Sequence, residues 1–300
     1  MTPRRFRHRL VTVPVFTAPV TRRPGPPATG YPFLDTVCEQ AGSVVAMAHR
    51  GGAAHPELPG LENTLHAFDH AVSLGYRYLE TDVHATADGV LLAFHDRSLD
   101  RLTGTPGEIA RLRAEEVAQA LVAGEHPVPT MASLLEAFPR CRFNIDLKST
   151  AAVQPLADLL RATGSEERVC VGSFSQVRAD AFRRASGGRV ATAASPAEVV
   201  AFRSLPSARL ARALAGRPAV LQVPHRHARL RVVTPGLVRR AHAAGLHVHV
   251  WTIDSPSEMR QLLDLGVDGL ITDRTDVLKQ VLLDRGQWQQ PEDTLGRESR

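Results

Sequence analysis

Eight short apolar runs, each followed by a segment with legible helix ends, constrain this chain more than any other feature. The runs are VVAMA (44–48), YRYLETD (76–82), RFNIDL (142–147), RVCVGSF (168–174), RVATAA (189–194), AVLQV (219–223), HVHVWTI (247–253) and GLITD (269–273). Each is rich in Val, Ile, Leu or Phe, the pattern of strands buried on both faces. The connectors carry helix punctuation. Ser195-Pro196-Ala197-Glu198 reads as a capping box with proline at the first helical position, and Ser255-Pro256-Ser257-Glu258 repeats it. Thr234-Pro235 opens a helix that Gly245 closes, and Gly75 and Gly266 close two others. Strand, capped helix, glycine and next strand is the order of right-handed βαβ units. Eight such strands predict an α/β fold, the TIM (β/α)8 barrel, with its functional groups at the carboxyl ends of the strands. With 43% hydrophobic content, 300 residues can bury a core of that size.

One run departs from the repeat. VLLAFH (90–95) follows the second strand across only Thr86-Ala87-Asp88-Gly89. A parallel crossover needs a dozen residues or more, so the two runs must form a β-hairpin with Asp88-Gly89 in its turn. The hairpin carries His95 back over the barrel mouth. Residues 97–140 then read as an excursion over the active face, with a short charged helix from Ala114 to Leu121. MASLLEAF (131–138) resumes the barrel helices behind Thr130 as N-cap. The division expected is a flexible basic arm over residues 1–40, a barrel domain over 41–285 and a polar tail over 286–300.

The net charge of +5 is unevenly spread. Arg4, Arg5, Arg7, Arg9, Arg22 and Arg23 precede the first acid, Asp35. Without these six, 30 basic residues face 31 acidic ones, about −1 for the rest. The basic excess therefore reads as belonging to the arm, not to a face of the domain. No basic stripe with interleaved aromatics appears, which argues against nucleic acid as partner. The apolar run LVTVPVFTAPV resembles a signal peptide only superficially, because Pro14 and Pro19 interrupt it and no small-x-small site follows. No run approaches the roughly 18 apolar residues of a membrane span. Cys38, Cys141 and Cys170 show no metal-ligand spacing and read as free thiols of a reducing compartment. The expected location is the cytoplasm, without stable membrane insertion; export or peripheral membrane association is the other reading.

The candidate chemistry lies mostly between Val44 and Asp96. Glu80 and Asp82 stand two apart on a strand and so share one face, which at a strand's carboxyl end is the barrel mouth. Crowded carboxylates repel unless a cation lies between them, and oxygen ligands of this kind suit Mg²⁺ or Ca²⁺ rather than zinc. The bland alternative is a solvated pair on an edge strand. Asp146 and Lys148 repeat the spacing in NIDLK, offering a third metal carboxylate and a fixed cation for phosphate. Of the 36 basic residues only Lys148 and Lys279 are lysines. A compact ammonium suits a crowded site, whereas the plain alternative is a surface lysine. His49 and His95 each end an apolar run. A lone histidine there would be a core or capping residue, but two, beside Arg50 and Asp96, suggest a general acid and a general base. His84 lies on the hairpin within reach, while His225, His227, His247 and His249 are weaker candidates. Imidazoles, an arginine and clustered carboxylates at strand ends are the parts of a metal-assisted site for a phosphate ester.

HRG (49–51), ENT (62–64), ETDVHATADG (80–89) and FHDRSLDRLTG (94–104) resemble, in order and spacing, the glycerophosphodiester phosphodiesterase family. So do GSFS (172–175), QVP (222–224), VWTID (250–254) and GVDGLITD (266–273), and the resemblance covers about residues 44–282. It implies a phospholipase-C-like TIM barrel that hydrolyses glycerophosphodiesters to glycerol 3-phosphate and an alcohol with one divalent cation, Mg²⁺ or Ca²⁺. It implies that His49 and His95 are the acid/base pair and that Arg50 and Lys148 hold the phosphate. Glu80, Asp82 and Asp146 would bind the metal, with Glu62 in or near the ligand shell. The substrate's own glycerol 2-hydroxyl would attack phosphorus, one histidine taking a proton and the other giving one to the leaving alkoxide. Two positions depart from the family pattern. Asp146 stands where the family has glutamate, and the loop GAAHPELPG (52–60) is longer and proline-rich. A lysophospholipase D is the neighbouring reading; it would want an apolar groove, for which 97–130 is the obvious but charged lining, and the arm could hold it to anionic lipid. A catalytically silent binding barrel would be expected to lack a histidine or a metal carboxylate.

Overall fold

Parallel strands curl into a barrel in the computed structural model, which describes residues 26–38, 44–205, 207 and 218–288. The strands in chain order are β1 (Val45–His49), β2 (Tyr78–Ala85), β3 (Leu91–Ala93), β4 (Leu121–Val122), β5 (His126–Pro127), β6 (Arg142–Leu147), β7 (Val169–Gly172), β8 (Ala191–Thr192), β9 (Val220–Pro224), β10 (Arg226–His227), β11 (Leu230–Arg231), β12 (His247–Trp251) and β13 (Gly269–Thr272). The main sheet runs β8-β7-β6-β2-β1-β13-β12-β9. Its two outer strands meet in a parallel bridge between Ala193 and Val220, which nearly closes the barrel. The eight runs that the sequence marks are these eight barrel strands.

Local chemistry explains several helix starts. Ser195 accepts from the Glu198 amide while the Glu198 carboxylate accepts from the Ser195 amide at 2.7 Å, the reciprocal cap expected. The expected copy at Ser255 does not form. Ser255 Oγ pairs with Ser257 Oγ at 2.9 Å, and Glu258 turns instead to the ring of His225. Thr130 caps the helix Met131–Ala137 as expected.

The hairpin is present. β3 runs antiparallel to β2, pairing Val83 with Ala93 and Ala85 with Leu91. Beyond it the excursion builds a small core of its own, with Phe94, Leu99, Ile109, Val117 and Val122 buried together. The charged helix expected to reach Leu121 spans only Ala114–Val117, because Val117 is its sole buried residue and Leu121 leaves in strand β4.

A helix ahead of the barrel, Pro32–Cys38, closes the amino-terminal end of the strands. Phe33 and Leu34 are buried against Val45, Tyr78, Ala191 and Val220, and the Tyr78 hydroxyl donates to the Phe33 carbonyl at 2.9 Å. A boundary at residue 40 assigns this helix to the arm, yet its apolar face is part of the barrel floor. Residues 1–25 and 289–300, with most of the expected arm and tail, lie outside the described residues. Trp288 packs edge-on against Tyr76 at 5.1 Å. Cys141 and Cys170 are buried free thiols.

Phe33→Ala removes a ring that is 1% exposed and stacked edge-on with Tyr78 at 5.3 Å. Truncating such a residue costs about 3–5 kcal/mol, which lowers Tm by roughly 10 °C in a domain of this size. A shift under about 2 °C in a thermal melt would show that the helix is not part of the cooperative unit.

Candidate active site

The site is assembled around a tight turn after β1. Arg50 has φ 51° and Gly51 φ 84°. A Cβ on Gly51 would lie 2.7 Å from the Ala67 methyl, so only glycine lets the turn sit this close to the next helix. The turn is pinned where the Arg50 amide donates to the Glu80 carbonyl at 3.0 Å and the Asn63 amide to the Arg50 carbonyl at 2.9 Å. Asn63, itself at φ 60° and buried, accepts from Thr81 Oγ1 at 2.7 Å. Thr64 caps the helix Leu65–Ser73, accepting from the Ala67 amide at 3.1 Å.

Strand register puts the carboxylates together. β1, β2 and β6 align His49 with Glu80 and Glu80 with Asn144, and one layer higher β2 and β6 align Asp82 with Asp146. All three acids line one cavity of about 580 Å³ at the carboxyl ends of the strands. Burial, reinforced by Asp82 and Asp146, pushes the Glu80 carboxyl up to about 7 against the pull of His49 and Arg50. Burial also raises Asp146. Asp82 is equally buried, but Lys148 and Arg50 outweigh that and hold it below the usual carboxylate range. Lys148 Nζ sits 2.9 Å from Asp82 and 2.7 Å from Asp146, with the Phe174 ring 5.6 Å away. Arg50 reaches Asp82 through Nε at 3.1 Å and Glu62 through Nη1 at 3.1 Å.

Each candidate histidine has a carboxylate behind it. His49 Nδ1 lies 2.6 Å from Asp273 Oδ1, and its Nε2 faces Glu80 at 3.6 Å. Burial disfavours the charged ring, but Glu80 and Asp273 outweigh it and raise the imidazole's pKa. Asp273 is held in turn, its amide donating to Asp254 at 2.9 Å. His95 Nδ1 lies 2.7 Å from Asp96, and Asp96 accepts from Arg101 Nε at 2.5 Å. Arg101 also grips Glu62 at 2.7 and 3.0 Å. His84 points its Nε2 at the His95 carbonyl, 3.1 Å away, and so supports the ribbon instead of entering the site.

The cavity thus gathers His49, Arg50, Glu80, Asp82, His95, Asp146 and Lys148. Glu62 stands apart. Both of its oxygens are taken by guanidinium groups, and it is not among the cavity walls. In this structure it stands behind Arg50, and the ENT turn aims it at Arg101 across the ribbon. Sequence reasoning missed Asp273, Asp254 and Arg101. The signal for Asp273 was present: an acid directly after the last barrel strand, at the height of the mouth.

Hard carboxylate oxygens, one pushed up to about 7 by burial and by its acidic neighbours, fit a divalent cation. In this structure Lys148 bridges two of them. The one trio of His, Cys, Asp or Glu among the described residues with ligand atoms within 4.8 Å of one another is His55, Glu57 and His70. It lies outside the cavity, in the lengthened loop and the helix Leu65–Ser73, and the backbone amide of Glu57 already occupies His55 Nδ1.

Residues 49–277 match the model of the Glycerophosphoryl diester phosphodiesterase family. The chain is 41% identical over 250 residues to a Mycobacterium tuberculosis protein named "Probable glycerophosphodiester phosphodiesterase 2", covering 82% of this chain and 94% of that one. It is 25% identical to a lysophospholipase D of Rattus norvegicus, over 79% of this chain and 85% of the relative. A Silicibacter pomeroyi crystal structure assigned to glycerophosphoryl diester phosphodiesterases superposes with TM-score 0.72 at 25% identity, over 86% of this chain and 99% of that chain.

Asp273→Asn keeps the shape of the His49 partner and removes its charge. The expected result is a fall in kcat of about 10²-fold with KM within a factor of about three, as for loss of a positioned acid/base group. Unchanged steady-state kinetics would remove Asp273 from the site's machinery.

Proposed function

The chain belongs to the glycerophosphoryl diester phosphodiesterase family, and from that premise we propose how its cavity cleaves a glycerophosphodiester to glycerol 3-phosphate and an alcohol. The observation that supports this reading most is the convergence of two carboxylate-backed imidazoles with Arg50 and Lys148 on one buried acidic cluster. Arg50 and Lys148 present fixed positive charge to the phosphodiester. Glu80, Asp82 and Asp146 would hold one divalent cation, Mg²⁺ or Ca²⁺. When bound, the cation neutralises phosphate charge and lowers the pKa of an attacking hydroxyl. Asp273 orients His49 so that Nε2 faces the cavity, and Asp96 does the same for His95. One imidazole accepts the proton of the substrate's attacking hydroxyl while the other delivers a proton to the departing alkoxide oxygen, which releases the alcohol and leaves a cyclic phosphodiester. With the roles of the two imidazoles reversed, water then adds to phosphorus and opens the ring to glycerol 3-phosphate. Glu62 and Arg101 act as positioning residues for Arg50 and for the His95 ribbon.

One observation favours a second reading, hydrolysis of lysophospholipids. The cavity carries an apolar wall, with Phe174, Val200, Val223, Leu230 and Trp251 among its lining. An apolar groove was expected, if anywhere, from 97–130. That segment instead buries its apolar side chains in its own small core, and the groove comes from residues after 172. Among the described residues no helix is long and apolar enough to cross a membrane.

The purified chain with Mg²⁺ or Ca²⁺ is expected to release glycerol 3-phosphate from glycerophosphocholine, and EDTA to abolish release. His49→Ala and His95→Ala should each lose about 10²–10⁴-fold in kcat. Full activity in both variants defeats the acid/base assignment. A substrate panel with and without a long acyl chain separates the two readings, since a groove used by the chain lowers KM for the acylated substrate.

The raised Glu80 carboxyl gives a pH-dependent stability with a definite sign. A carboxyl whose folded pKa lies above its unfolded value stabilises the fold below the unfolded pKa and loses that contribution as pH rises through about 7. The cation-free protein should therefore lose Tm on this account between about pH 5 and pH 8, while a divalent cation favours the ionised form. The Tm gap between added Mg²⁺ or Ca²⁺ and EDTA is expected to widen from about pH 6 to about pH 8. A gap that is constant or narrows with pH rules out Glu80 as the cation's ligand.

A further inference from the structure

Near-neutral bookkeeping of the folded part hides a strong segregation of charge. Between Glu198 and Asp254 the sequence holds no acidic residue, and nine arginines stand in that stretch: 203, 209, 212, 217, 226, 229, 231, 239 and 240. The basic excess is therefore not confined to the arm, as the arithmetic over the whole chain suggests. Parts of this stretch, among them Val200, Arg203, His227, Leu230 and Val232, line the apolar side of the barrel mouth. After β9 the chain leaves the barrel as a two-stranded ribbon, β10 and β11, which pairs Arg226 with Arg231 and His227 with Leu230. Arg226, Arg229 and Leu230 are exposed on it. Among the described residues none of Arg203, Arg226, Arg229 and Arg231 has a carboxylate within ion-pair distance, whereas Arg50, Arg101, Arg183 and Arg274 all do.

The same rim carries the most exposed large apolar side chains among the described residues. Val177 is 72% exposed, Val200 64%, Phe174 60% and Leu230 56%. Phe174, Val200 and Leu230 border the cavity, and Val177 lies in the first turn of the helix that follows β7. Solitary exposed apolar residues mean little, but three at the opening of one cavity and a fourth in the adjoining helix turn, among arginines without carboxylate partners, form a patch. Paired with one another, the two features select a partner. Arginines without carboxylates suit anionic headgroups, and protruding valine, leucine and phenylalanine side chains suit the acyl boundary just below them. A nucleic acid would satisfy the arginines and leave the aliphatic tips in water.

We propose that this rim, built from the β10–β11 ribbon, Phe174, Val177 and Val200, docks the barrel mouth on an anionic phospholipid bilayer. The proposal rests on the reading that the cavity is the phosphodiesterase site, and it adds where that site meets its substrate. Docking would bring the cavity opening to the headgroup layer, with the apolar wall on the membrane side. Binding is peripheral and depends on ionic strength, because surface-exposed arginines carry most of it.

The test is sedimentation of the full chain with vesicles of phosphatidylcholine alone and of phosphatidylcholine with phosphatidylglycerol. Three proteins are compared: the unaltered chain, a rim variant with Arg226→Ser, Arg229→Ser and Val177→Ser, and an arm variant with Arg4, Arg5, Arg7, Arg9, Arg22 and Arg23 all changed to Ser. None of the three rim positions lines the cavity. Each arginine at an anionic surface contributes about fivefold to partitioning, so the rim variant should bind phosphatidylglycerol vesicles at least about 25-fold more weakly. Its turnover of soluble glycerophosphocholine should match the unaltered chain, which also shows that it folds. The arm variant should retain most of the binding. The proposal is overturned if the rim variant binds as well as the unaltered chain, or if the arm variant loses binding instead. It is equally overturned if neutral vesicles bind as tightly as anionic ones, or if the three substitutions dissolve a dimer or abolish tighter binding to duplex DNA. Sedimentation needs no turnover, so a chain inactive on glycerophosphodiesters would defeat the catalytic reading and leave the docking result to be judged separately.

Discussion

Three carboxylates buried side by side at one end of a barrel set the terms for everything around them. Desolvating a charge costs several kcal/mol even after relaxation, and like charges add to that cost. Asp82 is compensated by both Lys148 and Arg50, Asp146 by Lys148 alone, and Glu80 by neither at close range. The pKa shifts agree in direction: Asp82 is depressed, while Asp146 and Glu80 are raised, Glu80 to about 7. The strained backbone at Arg50 becomes intelligible in this light. A left-handed non-glycine residue costs of order 1–3 kcal/mol. It is held there because the same turn swings a guanidinium onto Asp82, and removing one partner from a buried ion pair costs about 3–5 kcal/mol.

The compensation is linked to the placement of the histidines. His49 stands on the barrel itself, backed by Asp273, which Asp254 fixes from the neighbouring strand end. His95 rides on the hairpin, and its anchor runs through Asp96 to Arg101, from Arg101 to Glu62, and from Glu62 to Arg50. The ribbon and Arg50 therefore share one chain of ion pairs. Glu62 is the link in that chain between Arg50 and the ribbon, so its loss would free both together. The substitution of aspartate at 146 also fits the crowding. Lys148 already spans Asp146 and Asp82, and the shorter side chain leaves its ammonium room between them.

Much of this was legible in the sequence because parallel strands buried on both faces leave an unmistakable record. All eight barrel runs and the hairpin were readable from apolar content and from a connection too short for a crossover. Within a strand, spacing of two fixes a shared face, so Glu80 with Asp82 and Asp146 with Lys148 could be placed before any register was known. What spacing cannot carry is the partner of a side chain across the barrel. Asp273 is 224 residues from His49, and Arg101 is 39 from Glu62. Both pairs exist only because closure brings the last strand beside the first and the excursion returns over the mouth. A cap motif failed for a related reason. Ser255 has the right letters, but Glu258 finds a better partner in His225, and tertiary contact overrides local pattern. Charge failed through averaging, since a sum over the chain cannot reveal that 55 consecutive positions, 199–253, carry no acid.

The barrel mouth is thereby divided between two halves of the chain. β1, β2, β6 and the hairpin supply the acids, the two imidazoles and the phosphate-facing cations. The segments after β7, β8, β9 and β12 supply the apolar wall and the basic ribbon. In a TIM barrel each loop is anchored on its own strand, so one half can change without moving the other. The bond that is cut and the alcohol that leaves thus answer to different parts of the sequence. The polar half is tied down by ion pairs whose removal would leave buried charge, which makes it costly to alter. The apolar half has ion pairs of its own, Arg183 with Glu198 and His225 with Glu258, but ends in exposed side chains that can be exchanged at little cost in stability. This half also carries the exposed apolar tips and the arginines without carboxylate partners. On the proposed reading, substrate choice falls to this side of the mouth, where exposed side chains and not buried charges meet the ligand.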